Sequence, residues 1–169
     1  RDRLGAYKTV AKALLEGLKE VGVYGAVLAS GKKTTIGKHS FHSPSCLSSI
    51  NHLEIEVQGA KLVGSAQRRT KKAFLQHGSI LLDCDRALVN SLFKFETDDA
   101  RCRSMEILNH KVVTLSECLG KSMTRKEVFK ALIKGFSHTL KGNWVLGHLN
   151  SFELIKCTSN SYSKENVNI

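Results

Sequence analysis

The sequence predicts an α+β fold, a mixed α/β layer in which an antiparallel or mixed sheet is packed with helices. Three observations lead there. Tyr7, Val10, Ala11, Leu14, Leu15, Leu18 and Val21 recur at three- and four-residue steps, the period of one helix face. Between Leu53 and Leu82 the apolar residues alternate with polar ones or gather in short blocks, the pattern of strands. Thr114-x-x-Glu117 and Thr124-x-x-Glu127 then stand as two capping boxes, each opening a helix. A chain that runs helix, strands, helices covers its sheet with helices from either end.

The first helix is expected from about Leu4 to Glu20, with Gly22 as its stop. Val23 to Ala29 reads as a short strand. Ser30 to Ser49 is a loop rich in Gly, Ser, Lys, Thr and His that holds the one proline, Pro44. Loops of this length inside compact domains are often functional. Leu53, Ile55 and Val57 alternate with Glu54 and Glu56, a half-buried strand. Gln58-Gly59 is a turn, and Lys61 to Ala66 returns as the second strand of a hairpin. Arg68 to Lys72 is a basic connection. Ala73 to Leu82 is a third strand, apolar at its end and so placed centrally in the sheet. Asp83 or Asp85 caps a short helix through Leu92. Phe95 to Asn109 reads as polar and irregular. The first capping box opens a short helix that Gly120 ends. The second opens a long helix with Val128, Leu132, Ile133, Phe136 and Leu140 on one face. Residues 1–150 make one domain. Residues 151–169 make a tail, with a helical turn or two around Phe152 to Cys157 and a polar end.

A chain of 169 residues can bury a core, and 41% hydrophobic with 24% charged residues is ordinary globular usage, which excludes global disorder. No apolar run approaches the roughly 20 residues that span a bilayer, so no membrane association is expected. The cysteines, Cys46, Cys84, Cys102, Cys118 and Cys157, are odd in number, irregularly spaced and without a CxxC pair. That excludes a disulfide framework and points to a reducing, cytoplasmic location. No metal site is expected, because His39-x-x-His42 supplies only part of the usual zinc ligand set. The net charge of +11 favours polyanions or acidic protein partners. Part of it is local, in Lys32-Lys33, Arg68-Arg69 and Lys71-Lys72. Nucleic acid is disfavoured, because aromatics make up only 7% and no recognition-helix, RNP-like or zinc-finger pattern occurs.

The stretch from Cys46 to Asp85 concentrates the reactive groups. Cys46 becomes a nucleophile where nearby cations stabilise its thiolate, and is otherwise a small apolar residue. Lys61 follows the turn: either a solvated turn lysine, or an ammonium aimed at an acyl carbonyl. Gly64, Ser65 and Ala66 lack bulk, which lets a ligand approach the backbone or lets two elements pack closely. His77 is a base for Cys46 or a core histidine, and core is favoured. Cys84, Cys102, Cys118 and Cys157 read as structural. From these residues alone the chain is a basic domain with a candidate cysteine acyltransferase site.

The run Gly59-x-Lys61-Leu62-Val63-Gly64-Ser65-Ala66-Gln67-Arg68-Arg69, followed by Leu75-Gln76-His77-Gly78-Ser79-Ile80-Leu81-Leu82-Asp83, resembles the biotin/lipoate protein ligase and transferase family. Within it the match is closest to the cysteine-dependent octanoyltransferases, which carry a cysteine ahead of a Glu-containing strand, as Cys46 and Glu54 stand here. The resemblance is strongest from Cys46 to Asp85 and weaker through Thr124 to Leu140 and near Tyr162. It implies that residues 1–150 are part of a lipoate/octanoyl transferase-like catalytic domain. It implies an octanoyl or lipoyl group carried from an acyl carrier protein, through a thioester on Cys46, to a lysine of a lipoyl domain or a glycine-cleavage H protein. Lys61 would hold the acyl carbonyl. Gly64, Ser65, Ala66 and Gln67 would line the acyl channel, with His77 and Gly78 on the adjoining strand. No cofactor is implied for the transferase, and ATP with Mg for the related lipoate ligases. A third alternative is an inactive module that binds acidic acyl-carrier or lipoyl domains.

One feature departs from the family. Its domain begins with strands bearing an Arg-Arg-x-Thr-Gly-Gly motif and a following histidine, which form a wall of the acyl pocket. This sequence starts at Arg1, after that point, and contains no such motif. It reads as a piece of a longer chain, as one half of a two-chain enzyme, or as a degenerate relative.

Overall fold

The computed structural model of the protein describes residues 3–30, 44–47, 54–71, 73–142, 144, 145, 147, 148, 150 and 151. The expectations for His39, His42, Leu53, Cys157 and the tail beyond Ser151 lie outside these residues. The described elements are α1 (Arg3–Glu20), β1 (Ala26–Leu28), β2 (Ile55–Val57), β3 (Ala60–Arg69), β4 (Phe74–Ile80), α2 (Arg86–Ser91), α3 (Asp98–Lys111), α4 (Leu115–Leu119) and α5 (Arg125–Leu140). The strands form one antiparallel sheet in the order β1-β2-β3-β4. This is the α+β architecture the pattern predicts.

Helix α1 ends as its glycine dictates. Gly22 adopts φ 102°, open to glycine without strain, so its N–H turns back to the Lys19 carbonyl (2.9 Å) and the Val23 N–H to that of Leu18 (2.9 Å). Leu18 and Val23 then meet in the core with Ile55, Leu62, Val63, Leu115 and Val128. Helix α5 packs along α1 at close range through small residues. A Cβ on Gly135 would sit 2.3 Å from the Gly17 nitrogen and 2.5 Å from the Ala13 carbonyl. This contact turns α5 partly off the predicted face: Val128 is buried and Leu132 packs on the core as expected, Ala131 and Gly135 are buried beside them, and Ile133 and Leu140 are exposed. A reading that counts only large apolar residues cannot see an interface made of Gly and Ala.

Both capping boxes form, with Thr114 and Thr124 exchanging hydrogen bonds with Glu117 and Glu127, and Gly120 closes α4 at φ 65°. Asp85, not Asp83, caps α2, its side chain accepting from the Leu88 N–H at 2.9 Å. Two elements correct the sequence reading. Residues 98–111 are a helix, not an irregular segment: Thr97 caps it, only Ser104 and Leu108 are buried, and its charged face carries the Asp99–Arg103 pair at 2.7 Å. Strand β4 closes one end of the described sheet instead of lying centrally, and Phe74, Leu75, His77, Gly78 and Ser79 are exposed. Strand β3 also runs on through Arg68 and Arg69, which were expected in the connection. Of the described thiols other than Cys46, Cys84 and Cys118 are half-buried, and burial raises the pKa of both. Cys102 is exposed, contrary to its expected structural role.

Arg86 ties α2 to α4, donating to the Val112 carbonyl and to Glu117 Oε2, both at 2.8 Å. The Arg86 guanidinium first, then the Thr114 N–H and hydroxyl, hold the Glu117 carboxyl down to about 2 from its usual 4.5. A lowered folded-state pKa stabilises the fold above the unfolded value and loses that effect as pH falls through the folded one. The stability advantage over Glu117→Gln is therefore full above about 4.5 and fades as pH falls toward 2. Because the Glu117 side chain is 46% exposed, solvent screening keeps that advantage small. Denaturant midpoints of both proteins across pH 2–7 check it.

Candidate active site

Strand β3 carries the central residues, and its pairing contains an irregularity that sets their direction. Ile55 pairs with Val63 and Glu56 with Lys61, so β3 has one residue more than β2 at this point. Such a bulge shifts the alternation of side chains along the strand. Lys61 and Gly64, three residues apart, consequently meet on one face: a Cβ on Gly64 would lie 2.9 Å from Lys61 Cε and 3.3 Å from its Nζ.

Lys61 is not a solvated turn lysine. It is 6% exposed, and its Nζ lies 2.9 Å from Glu54 Oε1, itself on a residue 4% exposed. Glu54 therefore turns inward, where strict alternation made it one of the polar positions of a half-buried strand. The same ammonium donates to the main-chain carbonyl of Cys46 at 3.2 Å. The Lys61 carbonyl in turn accepts from the Val113 N–H at 3.0 Å, just ahead of the α4 cap. One lysine thus connects the Cys46 segment, the start of β2 and the entry to α4. Beside it Ser45 is buried, while Cys46 is exposed. The ion pair satisfies two charges that would be costly to bury singly.

The remaining predicted residues divide between the two faces of the sheet. Gly64 pairs with Ser79 and Ala66 with His77, so these four share one face, that of Lys61. Ser65 and Gln67, opposite Gly78 and Gln76, take the other. On that second face the Tyr7 hydroxyl of α1 bonds to the Ser65 hydroxyl and donates to the Ser65 carbonyl at 3.1 Å. The Gln67 amide is committed as well: Nε2 donates to Gln76 Oε1 at 3.0 Å, and Oε1 accepts from Arg69 Nε at 2.8 Å. Gly78 serves the strands' close approach, since a Cβ there would fall 2.3 Å from the Gly64 carbonyl. His77 is exposed on β4 and is not the core histidine that its position suggested. Among the described residues, β4 lies at one end of the sheet.

Two residues escaped the sequence reading. Glu54 was placed only as a strand residue, although its carboxylate holds Lys61. Ser79 lies on the face of Lys61 beside His77. A cleft of about 680 Å³ lined by Tyr24, Gln58, Arg86, His110, Val112 and Glu117, among others, includes none of Cys46, Glu54 and Lys61. Its Arg86 guanidinium is engaged by Glu117, as the Lys61 ammonium is by Glu54. Among the described residues, no set of three or more His, Cys, Asp or Glu is placed to hold a metal, and no helix is long and apolar enough to cross a membrane.

The model of the lipoyl protein ligase A/B catalytic domain matches residues 1–137. The chain belongs to that family. An octanoyltransferase LipM from Brevibacillus brevis is 34% identical over 139 residues, covering 80% of this chain and 50% of the relative. One from Bacillus subtilis is 33% identical over 154 residues, covering 88% and 52%. The chain thus spans about half the length of these curated relatives. Two solved structures share the fold. A bi-partite lipoate protein ligase from Thermoplasma acidophilum superposes with a TM-score of 0.70 at 18% identity, over 94% of this chain and 54% of that one. A lipoate-protein ligase A bound with ATP superposes with a TM-score of 0.68 at 19% identity, with the same coverage. In this ligase/transferase family setting, Lys61 and Gly64 predict a specific sensitivity. Gly64→Ala pushes the flexible end of Lys61 aside instead of breaking backbone packing. With Lys61 acting as proposed below, acyl transfer would fall by about tenfold or more in this variant, with the melting temperature nearly unchanged.

Proposed function

We propose that this chain carries the cysteine and lysine of an octanoyl (or lipoyl) transferase that modifies a lysine of a lipoyl domain. The single observation that carries this reading is the hydrogen bond from the buried Lys61 ammonium to the Cys46 main chain, which docks the thiol segment on the β3 face. The likeness to octanoyltransferases supports it independently.

In the proposed reaction the Cys46 thiolate attacks the thioester carbonyl of an octanoyl group borne by an acyl carrier protein. The carbon–sulfur bond to the carrier breaks, and the carrier thiol leaves with a proton. The neutral amine of the acceptor lysine then attacks the Cys46 thioester. An amide forms, the bond to Cys46 breaks, and the thiol regains its proton. Each half-reaction builds negative charge on a carbonyl oxygen, which the Lys61 ammonium would stabilise from its fixed position. Gly64 and Ala66 would flank the acyl chain on the same face. Ser65, Gln67 and Gly78 would act from behind, holding β3 and β4 in place. This reaction needs no cofactor. Carrier and acceptor would meet in a cytoplasmic setting.

The alternative is an ATP-dependent lipoate ligase. It has the fold in its favour, and the Cys46–Lys61 grouping favours the transferase. The test is kinetic. In the intact protein, initial rates over octanoyl carrier and lipoyl domain should give the parallel lines of a ping-pong mechanism, and Cys46→Ala should abolish transfer. Transfer by Cys46→Ala that requires ATP would instead select the ligase.

A further inference from the structure

Strands β3 and β4 leave a space beside the Lys61 ammonium. Gly64 contributes no side chain there, and the point where its Cβ would stand is 3.3 Å from Lys61 Nζ and 3.6 Å from Glu54 Oε1. Across the ladder Gly64 pairs with Ser79. Directly opposed residues of an antiparallel pair turn their side chains to one face, about 4.5–5.5 Å apart at Cβ. The space that Gly64 leaves open is therefore bordered by the Lys61 ammonium on one side and by the Ser79 hydroxyl on the other. Ser79 is exposed, and among the described residues no hydrogen bond engages its side chain. The neighbouring hydroxyls are committed elsewhere. Ser65 is turned to the opposite face and bonded to Tyr7, and the Ser45 hydroxyl accepts from the Leu47 N–H at 3.3 Å. Ala66, the next β3 residue on this face, carries a Cβ, and its partner His77 stands two residues, about 7 Å, further along β4.

We infer that the Ser79 hydroxyl is a second hydrogen-bond donor to the acyl carbonyl, facing Lys61 across the space left by Gly64. The inference rests on the transferase reading and adds a catalytic residue to it. Lys61 has little to give unaided. It holds Glu54 at 2.9 Å and the Cys46 carbonyl at 3.2 Å, so at most one of its three N–H donors is left for a substrate. The Glu54 carboxylate also offsets its charge. When a thiolate adds to a thioester, negative charge gathers on one oxygen, which can accept more than one hydrogen bond. A donor already in place there gains strength as that charge develops, so it lowers the barrier instead of only tightening binding. An oxygen accepting from both groups at ordinary lengths bridges about 5–6 Å between Nζ and Oγ. A gap one missing side chain wide is a span of that order. The hydroxyl keeps its proton throughout: it donates a hydrogen bond as the charge forms and relaxes as the carbonyl re-forms and the carbon–sulfur bond breaks.

The test compares the unaltered intact protein with Ser79→Ala and Ser79→Thr. Each is mixed with excess octanoyl carrier protein and no acceptor. Loading of Cys46 is followed by rapid quenching and intact mass, over a range of carrier concentrations and pH. For Ser79→Ala the expected result is a maximal loading rate lower by about ten- to a hundredfold. The half-saturating carrier concentration, the melting temperature and the shape of the pH profile should stay unchanged, because the lost donor is neutral and acts in the transition state. Ser79→Thr, which keeps the hydroxyl, should recover most of the rate. Loading of Ser79→Ala at the unaltered rate would overturn the proposal and leave the transferase reading standing. So would a Ser79→Thr rate as low as that of Ser79→Ala, or an octanoyl ester found on Ser79 itself. No loading of Cys46 in the unaltered protein would overturn the transferase reading, and this role with it.

Discussion

Glu54→Leu destabilises the protein by about 3–5 kcal/mol, because it strands the Lys61 ammonium in a buried position without its carboxylate. The Cys46 carbonyl remains as a partner, but a neutral dipole does not replace a charge at 2.9 Å. Lys61→Met produces a loss of similar size from the other side. The double variant Glu54→Leu/Lys61→Met recovers most of it, since two apolar side chains replace a pair whose desolvation already consumed much of its attraction. Denaturant midpoints of the four proteins measure this coupling directly. Losses that simply add would mean that the pair is not the unit described here. The double variant also separates fold from function: it should be folded and inactive.

Gly135→Leu has the second largest effect, a loss of about 3 kcal/mol or more from overpacking. The substituent would enter the space of the α1 backbone, 2.3 Å from the Gly17 nitrogen and 2.7 Å from its Cα, where no flexible side chain can yield. Gly135→Ala should still destabilise, although alanine is intrinsically favoured over glycine in a helix by about 1 kcal/mol. Lys130→Ala, at an exposed position of the same helix, should be nearly neutral. An unchanged midpoint for Gly135→Ala would show that α1 and α5 are further apart than described.

The elements whose ends are written locally were legible. Thr114, Thr124, Gly22 and Gly120 fix caps and stops through bonds within a few residues, so sequence alone places them. The hairpin at Gln58-Gly59 is local in the same way, with φ of 51° and 81° at the two residues. What escaped depends on partners distant in sequence. Helix α3 buries so little that its apolar period is faint. The rotation of α5 comes from glycine meeting glycine across two helices. Glu54 looks like an outward strand residue until the bulge in β3 turns Lys61 toward it. For the same reason, a contiguous Gly-Ser-Ala-Gln run suggested one surface, whereas a strand deals alternate residues to opposite faces. Ser65 and Gln67 therefore went to α1 and to the hairpin, leaving Gly64 and Ala66 with Lys61. Nothing in the segment around His77 announces that β4 lies at one end of the described sheet. The choice of Cys46 and Lys61 as a pair came from the family resemblance, and the structure adds the contact that joins their segments.

The most direct measurement of the central claim is intact-mass and peptide analysis of the intact protein after incubation with octanoyl carrier protein and no acceptor. One octanoyl group per chain is expected, attached through a hydroxylamine-labile thioester to Cys46, absent from Cys46→Ala and formed far more slowly by Lys61→Met. An octanoyl group on another residue, or equal loading of Cys46→Ala, would contradict it.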